Sequence, residues 1–178
     1  MATREWRELD KKRREVVANG PAPDWADEYR YTLTREMFPG AQVCWVMLNP
    51  STATQTHDDA TIRRVKRFST DHGYGRLIVV NLFALRATKP QALVFHPDPL
   101  GGTRNIVEIT KAMKDSAEVV FAWGSWSMGL LRPPDVLSIA HELGHTPRCL
   151  GLTKGGAPRH PLYVPANERL VPYQPPET

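Results

Sequence analysis

The sequence has few cysteines and no long apolar run, and both shortages exclude whole classes of protein. Its 178 residues contain two cysteines, Cys44 and Cys149, and neither belongs to a C-x-x-C pair. Both lie in apolar segments, where a buried, reduced thiol is expected rather than a disulfide scaffold. No apolar run is long enough to span a bilayer, and the N-terminus lacks the apolar stretch of a signal peptide. We therefore expect a cytoplasmic protein with no membrane partner.

The composition is that of an ordinary globular chain. Hydrophobic residues make up 41% and charged residues 24%, which fits one domain over residues 1–178. A charged helix is expected within residues 1–20 and a flexible tail at 173–178. The net charge of +4 is compatible with a polyanionic partner such as DNA. Nothing in the sequence indicates a cofactor or an obligate protein partner.

Apolar patterning predicts an alternation of strands and helices. Four continuous apolar runs predict strands buried on both faces: residues 41–48, 77–82, 117–123 and 147–152. Residues 29–36 alternate in the manner of a half-exposed strand. Four segments have helical spacing: residues 3–18, 58–72, 104–115 and 133–143. This order predicts an α/β fold, a three-layer sandwich around a central, mostly parallel, four-stranded sheet.

Polar, glycine and proline residues interrupt the chain where the predicted strands end. In a parallel sheet the ligand site lies beyond the carboxyl ends of the strands. Four segments are expected there: Asn49-Pro50-Ser51, Asn81-Leu82-Phe83, Trp123-Gly124-Ser125 and residues 153–163. Taken singly, each has an ordinary interpretation as a turn, a cap or an exposed loop. Their shared placement at strand ends favours a functional site.

His141-Glu142-Leu143-Gly144-His145 matches the H-E-x-x-H pattern of zinc hydrolases. On a continuous helix this spacing puts two imidazoles on one face. Here Gly144 and Pro147 are expected to end the helix at the motif itself. We predict no metal site, and keep a zinc hydrolase as an alternative.

The chain is identified as a member of a bacterial and phage family of unknown function, the domain of unknown function numbered 1643. Its match extends from Tyr29 to Pro172, and four stretches carry it: residues 45–53, 57–64, 80–86 and 151–163.

The same segments resemble a second, more distant family, the uracil-DNA glycosylases. Leu48-Asn49-Pro50-Ser51 is similar to their water-activating G-I-N-P-G loop, and Val79-Val80-Asn81 to the strand whose Asn reads the base. The run 119–125 resembles their Trp-Gly-Ser strand, and Arg159-His160-Pro161-Leu162 resembles their His-Pro-Ser loop. The resemblance implies a uracil-DNA-glycosylase-like fold. Because Ser51 and Leu162 stand where that family has Gly and Ser, we expect a modified or damaged base rather than uracil.

The resemblance and the chemistry of base removal together give the predicted site. Catalytic roles are expected for Asn49, which would orient water, and for His160, which would donate to the departing base. Asp59, beside Asp58, is a further candidate for the general base, or else a helix cap. The remaining predicted contacts are to the base (Asn81, Pro50, Ser51, Phe83 and Trp123) and to DNA phosphates (Lys154, Arg159, Arg63 and Arg67). Phe68, Phe83 and Trp123 are all candidates to stack on the base. For the two helix arginines a solvated helix face is an equal alternative.

We therefore predict a monofunctional DNA glycosylase that hydrolyses the N-glycosidic bond of a flipped-out modified or damaged base. Repair and defence against phages with altered DNA are both compatible settings. The alternatives are a non-catalytic nucleic-acid or nucleotide-binding module of the same fold and the zinc hydrolase.

Overall fold

The structure is a computed structural model, and it describes residues 29–125, 131 and 133–175. The predicted N-terminal helix within residues 1–20 lies outside these ranges. Among the described residues, no helix combines the length and the apolar character needed to cross a membrane.

In the described ranges, six strands form one mixed sheet in the order β1-β3-β2-β4-β5-β6. They are β1 (Leu33–Glu36), β2 (Gln42–Met47), β3 (Arg76–Asn81), β4 (Glu118–Phe121), β5 (Arg148–Cys149) and β6 (Val171–Pro172). The four inner strands, β3, β2, β4 and β5, run parallel to one another. The two edge strands, β1 and β6, pair antiparallel with their neighbours.

The prediction of an α/β fold is confirmed, but the strand count of four is wrong. The inner four strands correspond to the four apolar runs, which are buried because helices cover both faces. β1 was predicted as a strand but not as a member of the sheet. β6 has only two residues, both exposed, so its sequence carries no burial pattern that could have predicted it.

The described helices are α1 (Ala60–Asp71), α2 (Ala92–Phe95), α3 (Gly102–Lys114) and α4 (Val136–Glu142). A 3₁₀ turn, Pro161–Tyr163, follows His160. The predictions of α1, α3 and α4 are confirmed to within three residues at each end. The one-turn helix α2 lies in a segment for which the sequence predicts neither a helix nor a strand, because it is shorter than any helical period can reveal.

The core is divided by the sheet into two apolar layers. Along β2 the side chains alternate, with Val43 and Trp45 on one face and Cys44 and Val46 on the other. Helix α1 covers the first face, whereas α3 and α4 cover the second. The described residues therefore form three layers, helix, sheet and helix, as the sequence predicted.

Tyr173, the first residue of the predicted flexible tail, is anchored to the core. Its ring packs edge-on against Phe121, with the ring centroids 5.3 Å apart, and its amide donates to the carbonyl of Pro147 at 2.8 Å. These two contacts hold Tyr173 against the core.

Candidate functional site

A cavity of about 800 Å³ opens at the carboxyl ends of the parallel strands. Segments that follow β2, β3, β4 and β5 all contribute to its wall, as expected for a parallel sheet. Seven of the predicted site residues line it: Asn49, Ser51, Asp59, Asn81, Trp123, Arg159 and His160. The tertiary structure therefore joins side chains that are up to 111 positions apart in sequence.

Asn49 is fixed in one orientation by its own amide group. Its Nδ2 lies 2.7 Å from the carbonyl oxygen of Ala87 and 3.0 Å from that of Pro50. Both partners can only accept hydrogen bonds, so the nitrogen must face them and Oδ1 must point the other way. Asn49 therefore presents a preoriented acceptor at the cavity wall.

Asn81, the last residue of β3, is 3% exposed and lines the same cavity. Its side chain makes no hydrogen bond to any described residue, although its backbone carbonyl accepts one from Asn105 at 3.1 Å. The residue is nearly enclosed, so its amide meets solvent through the cavity. The Asn81 amide is thus available to both a donor and an acceptor on a ligand.

His160 is a neutral hydrogen-bond donor toward the cavity. Its Nδ1 accepts from the amide of Leu162 at 3.3 Å, so the ring proton resides on Nε2. Burial lowers the pKa of His160 below its usual value of 6.5, and the opposing charge of Asp59 only partly offsets this. The imidazole is therefore uncharged at neutral pH.

Two of the predicted motifs are in direct contact at Gly124. This residue has a φ of 78°, and a Cβ placed on it would lie 3.1 Å from the Cβ of His160. The Gly124 amide also donates to the carbonyl of Pro158 at 2.9 Å. A glycine is required here, because the backbone is left-handed and the loop that carries His160 lies too close to leave room for a side chain.

Trp123 is the one of the three candidate aromatic residues that reaches the cavity. It is partly buried, and its ring packs on Phe121 with the centroids 4.9 Å apart. Phe83 and Phe68 are both fully enclosed in the core, at 0% and 1% exposure. The core thus accounts for these two aromatic residues, and Trp123 offers the ring to a ligand.

The adjacent acids Asp58 and Asp59 are used in different ways. Asp59 caps α1, since its Oδ1 accepts from the amide of Ile62 at 2.8 Å and its Oδ2 from that of Ala53 at 3.3 Å. Asp58 does not line the cavity; it pairs with Arg35 Nε at 2.7 Å and Lys66 Nζ at 2.9 Å. The capping alternative for Asp59 is what the hydrogen bonds show, although its charge still reaches His160.

The four predicted phosphate-binding cations are not gathered in one place. Arg159 lines the cavity and donates from Nε to the carbonyl of Leu152 at 3.1 Å, whereas Lys154 is exposed outside the lining. Arg63 binds the carbonyl of Asp58 at 2.7 Å, and Arg67 forms an exposed pair with Asp71 at 3.6 Å. Neither helix arginine contributes to the cavity wall.

Arg64, a neighbouring arginine of α1, stabilises the loop that carries His160. Arg64 lies over the ring of Phe68, 5.0 Å from its centroid, and donates to the carbonyls of Pro161 and Val164. These bonds fasten the 3₁₀ turn that follows His160 to α1. The turn also places Leu162 and Tyr163 at the cavity wall, with the Tyr163 ring 5.5 Å from that of His160.

Pro50, which was also predicted to contact the base, is buried and is not among the residues that line the cavity.

One cationic wall residue was missed in the sequence. Arg30, just before β1, lines the cavity and donates from Nη1 to the carbonyl of Ala53. It lies far in sequence from every other lining residue and in no recognisable motif, so no local signal could have found it. The wall also contains hydroxyl groups to which the sequence assigned no role: Thr61, Thr88, Ser125 and Thr153.

The H-E-x-x-H segment does not form a metal-binding face. Helix α4 ends at Glu142, Gly144 takes a left-handed φ of 81°, and His145 falls beyond the helix. His145 Nε2 lies 2.9 Å from the carbonyl of Met113, which it contacts as a donor. In the part of the chain that the structure describes, no three potential metal ligands come together. The helix-ending interpretation of Gly144 is confirmed.

Comparison with known proteins gives a family but no characterised relative. No curated protein and no solved structure shows significant similarity to the chain. A family model described as Protein of unknown function (DUF1643) matches residues 30–162, and the chain therefore belongs to that family.

Proposed function

We propose that the protein is a monofunctional DNA glycosylase that hydrolyses the N-glycosidic bond of a flipped-out, modified or damaged base. The observation that carries this proposal is the convergence of three differently oriented polar groups on one cavity. They are the acceptor Oδ1 of Asn49, the unpartnered amide of Asn81 and the neutral donor Nε2 of His160.

Asn49 suits the nucleophilic side of the reaction. Cleavage of a C1′–N bond passes through an oxocarbenium-like sugar, which water attacks at C1′. Asn49 Oδ1 would accept a hydrogen bond from that water and hold its oxygen toward C1′. An amide does not take up the proton, so the proton leaves to solvent as the C1′–N electron pair goes to the base.

His160 suits the leaving-group side. The departing base accumulates negative charge, and a preorganised donor near its oxygen stabilises that charge. The Nε2–H of a neutral imidazole provides such a donor without the desolvation cost of a buried cation. The lowered pKa of His160 supports this role at neutral pH.

Asn81 and Trp123 suit recognition of the base. The Asn81 amide can pair with both a donor and an acceptor on the edge of one base. Trp123, held against Phe121, offers a ring for stacking. The base must leave the duplex to reach either of them.

Two features favour a base larger than uracil, and a third favours hydrolysis without strand cleavage. Ser51 and Leu162 replace the small residues of the uracil-DNA glycosylases, and both line the cavity. Its volume of about 800 Å³ lies in the upper part of the range of about 300–1,000 Å³ for ligand pockets, more than one pyrimidine fills. No lysine occurs among the described wall residues, so a Schiff-base strand-cleaving step has no nucleophile there.

The test is release of a free base. Purified protein is incubated with a panel of natural, damaged and phage DNAs, released bases are identified by mass spectrometry, and alkali then cleaves the strand at abasic sites. Asn49→Ala should abolish release, whereas the matched control Asn167→Ala, in an exposed turn, should match the wild type. Unchanged activity in Asn49→Ala would refute the mechanism, and no released base from any DNA would refute the function.

One observation favours a second function, a nucleotide-binding module without catalysis. Both oxygens of Asp59 accept backbone hydrogen bonds, and an amide at Asn49 is no proton acceptor, so no carboxylate of the described wall is free as a general base. This alternative predicts salt-dependent binding of nucleic acid with no released base, even when the protein is in excess over DNA.

A further inference from the structure

Arg30 is a cationic side chain in the cavity wall that neither the sequence motifs nor the proposed reaction accounts for. Its backbone amide donates to the carbonyl of Ala84 at 2.9 Å, and its Nη1 to the carbonyl of Ala53. The chain from Ala84 continues to Ala87, which bonds both Pro50 and the side chain of Asn49. Arg30 is therefore fixed on the side of the cavity next to the proposed water-orienting loop.

No acid of the described ranges forms an ion pair with Arg30. Among the described residues, its one side-chain hydrogen bond is to a neutral carbonyl, and its buried Nε has no partner. Arg35, five positions along, shows the contrasting arrangement, since Asp58 lies 2.7 Å from its Nε. A partly buried cation without a counterion is costly, and such groups concentrate at binding sites.

The electrostatic surroundings keep Arg30 charged and add to its field. Burial, and next the charge of Arg86, lower the pKa of Arg30 to about 10, so it remains a cation at neutral pH. Asp59 opposes this shift but is not in contact with the guanidinium. Arg86 itself is exposed and does not line the cavity, but its positive charge acts on Arg30.

The cavity has room for more than a base on this side. A volume of about 800 Å³ lies in the upper part of the range of about 300–1,000 Å³ for ligand pockets and is large enough for a whole nucleotide. Hydroxyl groups of Ser51 and Thr88 also line the wall and can donate to phosphate oxygens. A guanidinium is the side chain best suited to a phosphate, because its donors match two oxygens at once.

We propose that Arg30 binds a phosphate group of the nucleotide that enters the cavity, so that the site recognises the backbone from inside rather than only the base. This inference rests on the proposed nucleic-acid substrate, but it does not require that the glycosidic bond be cut. The phosphate could belong to a DNA strand or to a free nucleotide.

The first test is the salt dependence of binding to a ten-nucleotide single strand. The slope of log Kd against log salt should decrease by about 0.7 in Arg30→Gln, as for one lost phosphate contact on a single strand, and affinity should fall roughly fivefold. Arg30→Lys should keep the slope. Arg76→Gln, which removes an exposed charge at the opposite end of β3, should behave like the wild type. A wild-type slope in Arg30→Gln would overturn the proposal, and so would failure of the wild type to bind either the strand or thymidine 5′-monophosphate.

The second test uses the wild-type protein and so does not depend on the folding of a variant. Phenylglyoxal modifies arginine side chains, and mass spectrometry measures the modified fraction of each. The strand should protect Arg30 but not Arg76. Protection by thymidine 5′-monophosphate as well, but not by thymidine, would identify free nucleotides as ligands, whereas protection by the strand alone would identify DNA. Equal modification of Arg30 under all conditions would refute the inference.

These outcomes separate from those of the base-release assay. Protection of Arg30 without any released base would leave the phosphate site standing and remove the glycosylase. Released base together with an unchanged salt slope in Arg30→Gln would do the reverse.

Discussion

Two neighbouring regions at the start of α1 use polar residues in opposite ways. In the paired corner (Arg35, Asp58 and Lys66), each charge has a partner within 2.9 Å. In the cavity, a few residues away, Asn49 Oδ1, His160 Nε2 and the amide of Asn81 have none among the described residues. The corner is closed by its own bonds, whereas the cavity holds groups that are oriented but unsatisfied.

The difference indicates which region stabilises the fold and which serves a ligand. Polar groups that satisfy one another contribute to stability, and those held open at some cost are typical of functional sites. Substitutions in the corner should therefore change the free energy of unfolding. Substitutions in the cavity should change activity, with little loss of stability or even a gain.

After Asn49→Ala, the largest effect on activity is expected for His160→Phe. The variant keeps a ring of similar shape but loses the Nε2–H donor, and removal of one such donor lowers kcat by roughly 100- to 1000-fold. Single-turnover base release measures the rate, and thermal denaturation measures stability. A fall of less than threefold would show that His160 does not face the developing charge.

The next largest effect should be on stability, in Asp58→Asn. Loss of the half-buried carboxylate leaves Arg35 and Lys66 without their counterion, and we expect a loss of about 2 kcal/mol in the free energy of unfolding. Base release per folded molecule should be unchanged. Urea denaturation at neutral pH measures the first quantity.

The stability difference between wild type and Asp58→Asn should also depend on pH. Burial raises the pKa of Asp58, but hydrogen bonds from Lys66 and Arg35 outweigh it and lower the pKa below its usual value of 3.8. The stabilisation is therefore complete above that value and is lost as the pH falls through the lower, folded-state pKa. The stabilities of wild type and Asp58→Asn should converge in acid, and a constant gap would contradict the assignment.

Smaller changes in the free energy of unfolding, opposite in sign, are expected for substitutions of the two buried asparagines, Asn81 and Asn105. Asn81→Leu removes an unpartnered amide and should raise the free energy of unfolding by about 1 kcal/mol while weakening substrate binding. Asn105→Leu also removes a buried Oδ1 without a partner, but it leaves the carbonyls of Asn81 and Leu82 without their donor and should destabilise by about 1 kcal/mol on balance. Denaturation of both variants decides the matter, since destabilisation by both would show that Asn81 has a structural role.

A small shift is expected in the acid limb of the pH profile. Because burial lowers the pKa of His160, the neutral donor should persist below pH 6.5, and the rate of base release should start to fall only at lower pH. Protonation of Nδ1 would break its bond with the Leu162 amide. An NMR titration of the His160 ring, compared with the rate profile, tests this; a midpoint above 6.5 would contradict it.

The smallest effect is expected for His141→Ala. His141 is exposed near the end of α4, so neither base release nor stability should change by more than about 0.5 kcal/mol. Metal analysis of the wild type provides the control, because stoichiometric zinc would revive the zinc hydrolase.

Much of the fold could be predicted from the sequence, because local patterns encode it. The run 41–48 is apolar on both faces and became the central strand β2, and Ile62, Val65 and Phe68 have the spacing that buries one face of α1. The edge strand β6 and the one-turn helix α2 could not be predicted. Both are too short for periodicity and owe their conformation to neighbouring segments.

The candidate site was predictable where a residue ends an apolar strand and not elsewhere. Asn49, Asn81 and Trp123 stand at such ends, and the parallel sheet brings them together. Phe83 lies two residues beyond the end of β3, yet its side chain is fully buried in the core layer that α3 and α4 cover. Sequence alone did not tell which side carried the cavity.

The sequence by itself determined the alternation of strands and helices and the polar residues at the strand ends, since burial periodicity and turn chemistry are local. Only the tertiary structure decided which of these groups bond one another and which remain open. Asp58 and Asp59 are adjacent and chemically identical, yet one joins an ion-paired corner and the other caps a helix at the cavity wall. Arg30, without any motif, enters the cavity because β1 pairs with β3 at the edge of the sheet. Contacts between distant segments set these roles, and local sequence carries no record of such contacts.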